Sequence, residues 1–132
     1  MSHALSIQQQ GTYLHIKVTG DNNPQDILEY LAEVRTACRE KKYPYVLLEE
    51  NLTGPGLDTV VLYDVISRAS LPSPDVRCMA YVDINPEHDI TRLKFGETVA
   101  SNRGMTVKVF ANLAEAEIWL NTFISDSGGS KQ

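Results

Sequence analysis

Residues 45–69 read YVLLEENLTGPGLDTVVLYDVISRA, and the order of elements in this stretch sets the fold class. Tyr45 to Glu49 is a continuous apolar run that turns acidic at its end. Such a run suits a strand buried on both faces, as in a parallel sheet. Gly54-Pro55-Gly56 breaks it, because these residues supply the backbone angles of a reversal. Asp58 then stands where a helix cap belongs. Val61, Leu62, Val65, Ile66 and Ala69 follow at helical spacing. Strand, corner and helix thus succeed one another within 25 residues of sequence.

The same alternation extends in both directions. On the N-terminal side, Leu5 and Ile7, then Tyr13, Leu14, Ile16 and Val18, alternate with polar partners around a Gln10-Gly11 turn, which predicts a hairpin. Asn23-Pro24, with Asp26 in the first turn, opens a helix. Ile27, Leu31, Val34 and Cys38 form its apolar stripe, and the helix ends near Lys42 because Tyr43 precedes Pro44. On the C-terminal side, Leu71-Pro72-Ser73-Pro74 is expected to end the second helix. Val76 to Val82 is expected to be another buried strand, closed by Asp83. Asn85-Pro86-Glu87 repeats the cap-then-proline signature, so a helix is expected between Pro86 and Asn102, with Gly96 weakening it. Thr106 to Phe110 is the last strand. Asn112 to Glu115 is a capping box for a terminal helix whose inner face carries Leu113, Ala116, Leu120 and Phe123. The predicted order is β-β-α-β-α-β-α-β-α. It defines an α/β domain with a five-stranded, mostly parallel sheet and about four helices.

The chain has 132 residues, 42 % apolar and 22 % charged, with a formal net charge of −5. That length fits one domain over residues 1–124, with 125–132 (SDSGGSKQ) as a polar tail expected to fray. The only basic cluster is Arg39, Lys41, Lys42 at a helix end, which suits the helix dipole and argues against nucleic acid. Cys38 and Cys78 read as small core hydrophobes rather than a disulfide framework. No signal peptide and no apolar run of about 20 residues is apparent, so a cytoplasmic protein without a membrane span is the expectation.

In open α/β sheets, ligands gather at the carboxyl ends of strands. That rule selects residues 49–59, 83–89 and 110–112. The first is the longest, and Thr53, Gly54, Gly56, Asp58 and Thr59, together with Asp83, are the candidate ligand- or partner-binding residues. Thr53 and Thr59 are the candidate phosphorylation sites, because a phosphate at a helix start is favoured by the dipole and free amides. The stretch is not a Walker loop, as no Gly-Lys-Ser/Thr follows. Glu49, Glu50, Asp58, Asp83, Glu87 and Asp89 could share one rim, but no spacing enforces a metal site, and neither metal nor cofactor is expected. His3 is expected to be disordered, His15 to sit among polar neighbours, and His88 to be surface decoration or an acid/base group. The aromatics are expected in the core. No nucleophile-base pair stands out, so a catalytic role is not expected.

Three stretches carry a family resemblance: the opening YLHIKVTG, the step from YVLLEEN through LDTVVLYDVISRA, and FGETVASNRGMTVKVFANLAEAEIWL. In order and pattern these resemble a STAS domain of the SpoIIAA-like branch, itself related to the Sec14-like lipid-binding fold. The likeness spans residues 5 to 124. Antagonist STAS proteins resemble one another at an Asp-Ser-Ser-Gly-Leu step whose serine is phosphorylated by a partner kinase. Here the step reads Asp58-Thr59-Val60-Val61-Leu62: Asp58 and Leu62 fit, Thr59 takes the first hydroxyl position, Val60 stands where the phosphorylated residue belongs, and Val61 replaces the glycine. The resemblance implies a non-catalytic regulatory module that binds a protein partner or a small ligand. The Sec14-like kinship implies the alternative of a carrier for a lipid or other small hydrophobic ligand, which needs a cavity between sheet and helices. A small metal-dependent hydrolase is the remaining reading. Self-association through the leading hairpin as a homodimer is a further expectation.

Overall fold

The structure, a computed structural model, describes residues 3–69 and 73–126. Its elements are β1 (His3–Gln10), β2 (Tyr13–Asp21), α1 (Pro24–Lys41), β3 (Tyr45–Thr53), α2 (Thr59–Arg68), β4 (Cys78–Asp83), α3 (Ile90–Asn102), β5 (Val107–Phe110) and α4 (Leu113–Asp126). This is the predicted order. The five strands lie in the spatial order β1-β2-β3-β4-β5. β1 pairs antiparallel with β2, and every later pair is parallel. The turn between β1 and β2 is made by Gly11 in the left-handed region, φ 66°, where a side chain would be strained.

The strand order never reverses. Right-handed crossovers therefore carry α1, α2 and α3 over the same face, and no topological switch point arises. Alternation along the strands divides the core accordingly. Leu14, Ile16, Val18, Val46, Leu48 and Leu52 face α1 and α2. Tyr13, Tyr45, Leu47, Ala80 and Val82 face α4 through Ala116, Leu120 and Ile124. Both cysteines are free and buried in these two cores, as expected.

The caps follow the sequence. Asn23 accepts from the amides of Gln25 and Asp26, Asp58 from that of Val61, and Asn112 from that of Glu115. Four expectations change. The β3 strand does not stop at Glu49 but runs through Thr53, so Glu50 lies within it. The α3 helix starts at Ile90 under an Asp89 cap; Asn85 instead accepts from Glu87 N and closes a turn, which folds His88 back toward Asp83. His3 is ordered in β1, with Nε2 2.8 Å from Glu33 Oε2. His15 is buried, and its Nε2 meets Glu49 Oε1 at 2.9 Å. At the C-terminus α4 includes Ser125 and Asp126, and the rest of the tail, like Leu71 and Pro72, lies outside the described residues.

Gly96 acquires a packing role. A Cβ there would stand 3.1 Å from Leu62 Cδ2 and 3.3 Å from Ile66 Cδ1, so its absence lets α2 and α3 approach. Only Val65 of α2 is fully buried. The helix leans on α1 and α3, and Leu62 and Ile66 face a space that the sheet side chains below do not fill.

Candidate functional site

That space is a cavity of about 120 Å³ between α1–α3 and the sheet. Its walls are mainly aliphatic: Leu31 from α1, Leu62 and Ile66 from α2, Leu93 from α3, Met79 and Val107 from the sheet. Polar side chains meet at the end nearest the carboxyl termini of β3 and β4. Glu50, Tyr30, Tyr81, Asp83, His88 and Arg92 all line it there.

Glu50 follows Val46 and Leu48 on the apolar face of β3 and is only 3 % exposed. The hydroxyls of Tyr30 and Tyr81 donate to its two carboxyl oxygens. Burial pushes the Glu50 carboxyl from 4.5 up to about 7; the two tyrosines oppose that rise by bonding the anion, Asp83 adds to it and His88 subtracts. A buried carboxyl held near neutrality changes charge within the physiological range. The phenols of Tyr30 and Tyr81 are driven well above their usual range, first by burial and then by the Glu50 charge.

Beside this group stands a second pair. His88 Nδ1 lies 2.6 Å from Asp83 Oδ2, and both side chains are at most 3 % exposed. The other ring nitrogen, Nε2, lies 2.8 Å from the Gly54 carbonyl oxygen. Nδ1 thus faces a carboxylate, while Nε2 faces the Gly54 carbonyl with Asn85 Nδ2 3.3 Å away. Burial works to lower the His88 pKa, but the bonds to Asp83 and to Gly54 outweigh it and the net shift is upward. His88 is therefore no surface decoration.

The junction that turns the chain from β3 to α2 forms the roof. Four consecutive carbonyls are each held by a side chain from elsewhere. Gly54 O meets His88, Pro55 O accepts from Asn22 Nδ2 at 2.7 Å, and Gly56 O and Leu57 O accept from Arg92 Nη1 at 3.1 and 3.2 Å. Of the two glycines only Gly54, at φ 91°, needs left-handed freedom. Gly56 matters for proximity: a Cβ there would stand 3.5 Å from Arg92 Nη1.

Of the residues singled out from sequence, Gly54, Gly56 and Asp83 converge on this roof and cavity. The others do not. Thr53 is exposed, with Oγ1 3.0 Å from Asp21 Oδ1 and 3.2 Å from Gly20 O. Asp58 is exposed and caps α2. Thr59 is exposed at the first position of α2, beside Val60, which is 77 % exposed, and near Tyr63 and Phe95. Sequence reasoning named Glu50 only as one acid of a possible rim and Tyr81 only as a core aromatic, and it missed Tyr30 and Arg92. A signal for Glu50 existed: continuing the alternation Val46, Leu48 puts an acid on an inward position. Of the acids that could share one rim, Glu50, Asp83 and Asp89 line the cavity, while Glu49 turns to His15 and Asp58 caps α2.

No helix among the described residues is long and apolar enough to cross a membrane. No protein-family model matches the chain, and no curated protein is similar to it in sequence. Several solved structures are similar in shape, among them the following two. An anti-sigma factor antagonist from Mycobacterium paratuberculosis superposes with a TM-score of 0.57 at 13 % identity, over 91 % of this chain and 95 % of its own. An uncharacterised protein from Shewanella loihica superposes with a TM-score of 0.53 at 18 % identity, over 89 % of this chain and 93 % of its own, and is described as having a SpoIIAA-like fold. With its five-stranded mostly parallel sheet, four helices and these neighbours, the chain has the SpoIIAA-like fold of STAS domains.

Proposed function

We propose that the protein is a non-catalytic binding module that takes a small, largely apolar molecule into the cavity beneath residues 54–57. The observation that carries this reading is the cavity itself, about 120 Å³ with aliphatic walls and a polar cluster at one end. Concave sites of that composition are the usual form of small-molecule binding sites. A hydrophobic ligand, the alternative that the Sec14-like kinship implies, needs a cavity between sheet and helices. The stand-off of α2 supplies that volume. Native mass spectrometry of protein purified without detergent tests the reading. A retained mass that disappears in Leu62→Trp, which fills the cavity, supports it. A bare mass from several expression hosts sinks it.

A second reading is a regulatory contact with a protein partner through the surface at residues 53–59 and α2. It is favoured by the exposed apolar side chains Val60, Tyr63 and Phe95 around Thr59, since such patches often mark interaction sites, and by the fold shared with an anti-sigma factor antagonist. Phosphate on Thr59 would add close to two negative charges at pH 7 and break an apolar contact. Incubation with cell extract and ATP, followed by peptide mapping, tests the switch. Absence of phosphate on Thr53 and Thr59 in every growth state removes it.

A further inference from the structure

We propose that the cavity selects apolar molecules carrying a protonated amine, with the head group seated on Glu50. The inference rests on the cavity being a ligand site, as proposed above, and adds the chemistry of the ligand. It follows from which charges along the cavity wall are already engaged. The cations there are His88 and Arg92. His88 is bound to Asp83 and the Gly54 carbonyl, and Arg92 to the Gly56 and Leu57 carbonyls. Among the described lining residues no further Lys, Arg or His remains to pair with an anionic head. A carboxylate ligand would thus enter beside Glu50 and Asp83 with only Arg92, whose Nη1 is held by two carbonyls, to offset them, which is costly in an apolar chamber.

The acids are in the opposite condition. Each Glu50 oxygen accepts one phenol, and an ionised carboxylate has about four acceptor positions in all. Two remain for donors arriving from the cavity. An ammonium group carries three such donors and a charge that favours the ionised form. The groups facing Glu50 are Tyr30 from α1, Tyr81 and Asp83 from β4, and His88 from the loop before α3. α3 adds Arg92 and Glu97, and its cap Asp89, to the lining. Glu97 is paired with Lys94 at 3.7 Å; counted with full charges, the other acids of this wall outnumber its bases by three to two, Glu50, Asp83 and Asp89 against His88 and Arg92. The remainder of the ligand faces aliphatic side chains. The cavity is comparable with the engineered one of about 150 Å³ that holds benzene.

The test uses four probes of one shape: toluene, benzyl alcohol, benzylamine and benzoate. Their affinities are read by amide chemical-shift titration on the full chain. At pH 8 benzylamine is expected to bind at least tenfold tighter than toluene, and benzoate weakest. Between pH 8 and pH 6 protonation of Glu50, whose pKa is about 7, is expected to weaken benzylamine about tenfold and leave toluene unchanged. Glu50→Gln is expected to abolish the amine preference while toluene still binds. Benzylamine binding no tighter than toluene, a preference that survives Glu50→Gln, or a preference for benzoate or benzyl alcohol would overturn the inference and leave the cavity reading standing. Failure of all four probes to shift cavity-lining amides would overturn both. The pH arm uses the unaltered protein, so the test does not depend on how well the variant folds.

Discussion

The Glu50 carboxyl should impose a pH dependence on stability that one substitution removes. Its folded pKa is about 7, against 4.5 for the ordinary side chain. Between those values the folded state holds a proton that the unfolded state has released. Stability therefore falls as pH rises through this window; the contribution is fully present below about 4.5 and gone by pH 7 to 8. At about 1.4 kcal/mol per pKa unit, the full span is worth about 3 kcal/mol. Glu50→Gln keeps the shape, stays neutral and can still accept a phenol hydrogen bond. Urea denaturation of both proteins at pH 5, 6, 7 and 8 measures the difference. Subtracting the two curves cancels His3, whose raised pKa also makes stability decline with rising pH, and the His88 titration, which the Glu50 charge influences, is followed by NMR in both proteins. Wild type should lose about 2–3 kcal/mol more than Glu50→Gln between pH 5 and pH 8. A difference that stays constant within about 0.5 kcal/mol across that range would refute the claim that Glu50 is a buried, titrating group.

Three further outcomes are expected. His88→Ala leaves the buried Asp83 carboxylate with only the Asn85 amide as donor and frees the Gly54 carbonyl; it should cost about 3 kcal/mol at pH 6, and amide exchange should accelerate across residues 52–58 well before global unfolding. Asp58→Ala removes the acceptor for Val61 N, 2.9 Å away, and should cost about 1 kcal/mol by urea titration, with the cavity-lining amides otherwise unshifted. Lys42→Gly relieves a left-handed residue at φ 60° at the end of α1; a gain of about 1 kcal/mol is expected in calorimetry, whereas a loss would mean that Lys42 makes a stabilising contact of its own.

How much of this was legible in the sequence depends on the range of the interactions. The five strands and four helices were, because period-two and helical spacing are properties of neighbouring residues. The caps at Asn23, Asp58 and Asn112 were legible for the same reason: each acceptor lies within three residues of its donor. The start of α3 was misplaced because Asn85-Pro86 is a local signal that long-range bonds overrule. His88 reaches Gly54, 34 positions away, and Asn85 Nδ2 reaches Leu52 O, 33 positions away. Those bonds hold residues 84–89 as a loop, and the helix begins where they end.

The site itself belongs to the tertiary structure. Sequence by itself determined the alternation of buried strands and amphipathic helices, and hence a parallel sheet covered by helices. It also marked residues 51–61 as a corner at the carboxyl edge. It could not decide that Glu50 is interior, since an acid near a strand end is ordinarily solvated. Its place in the core depends on hydroxyls 20 and 31 residues away, brought together only when α1 and β4 close over β3. Nor could it decide that α2 stands off the sheet and leaves a cavity, because empty volume is a property of how elements meet and has no residue to announce it.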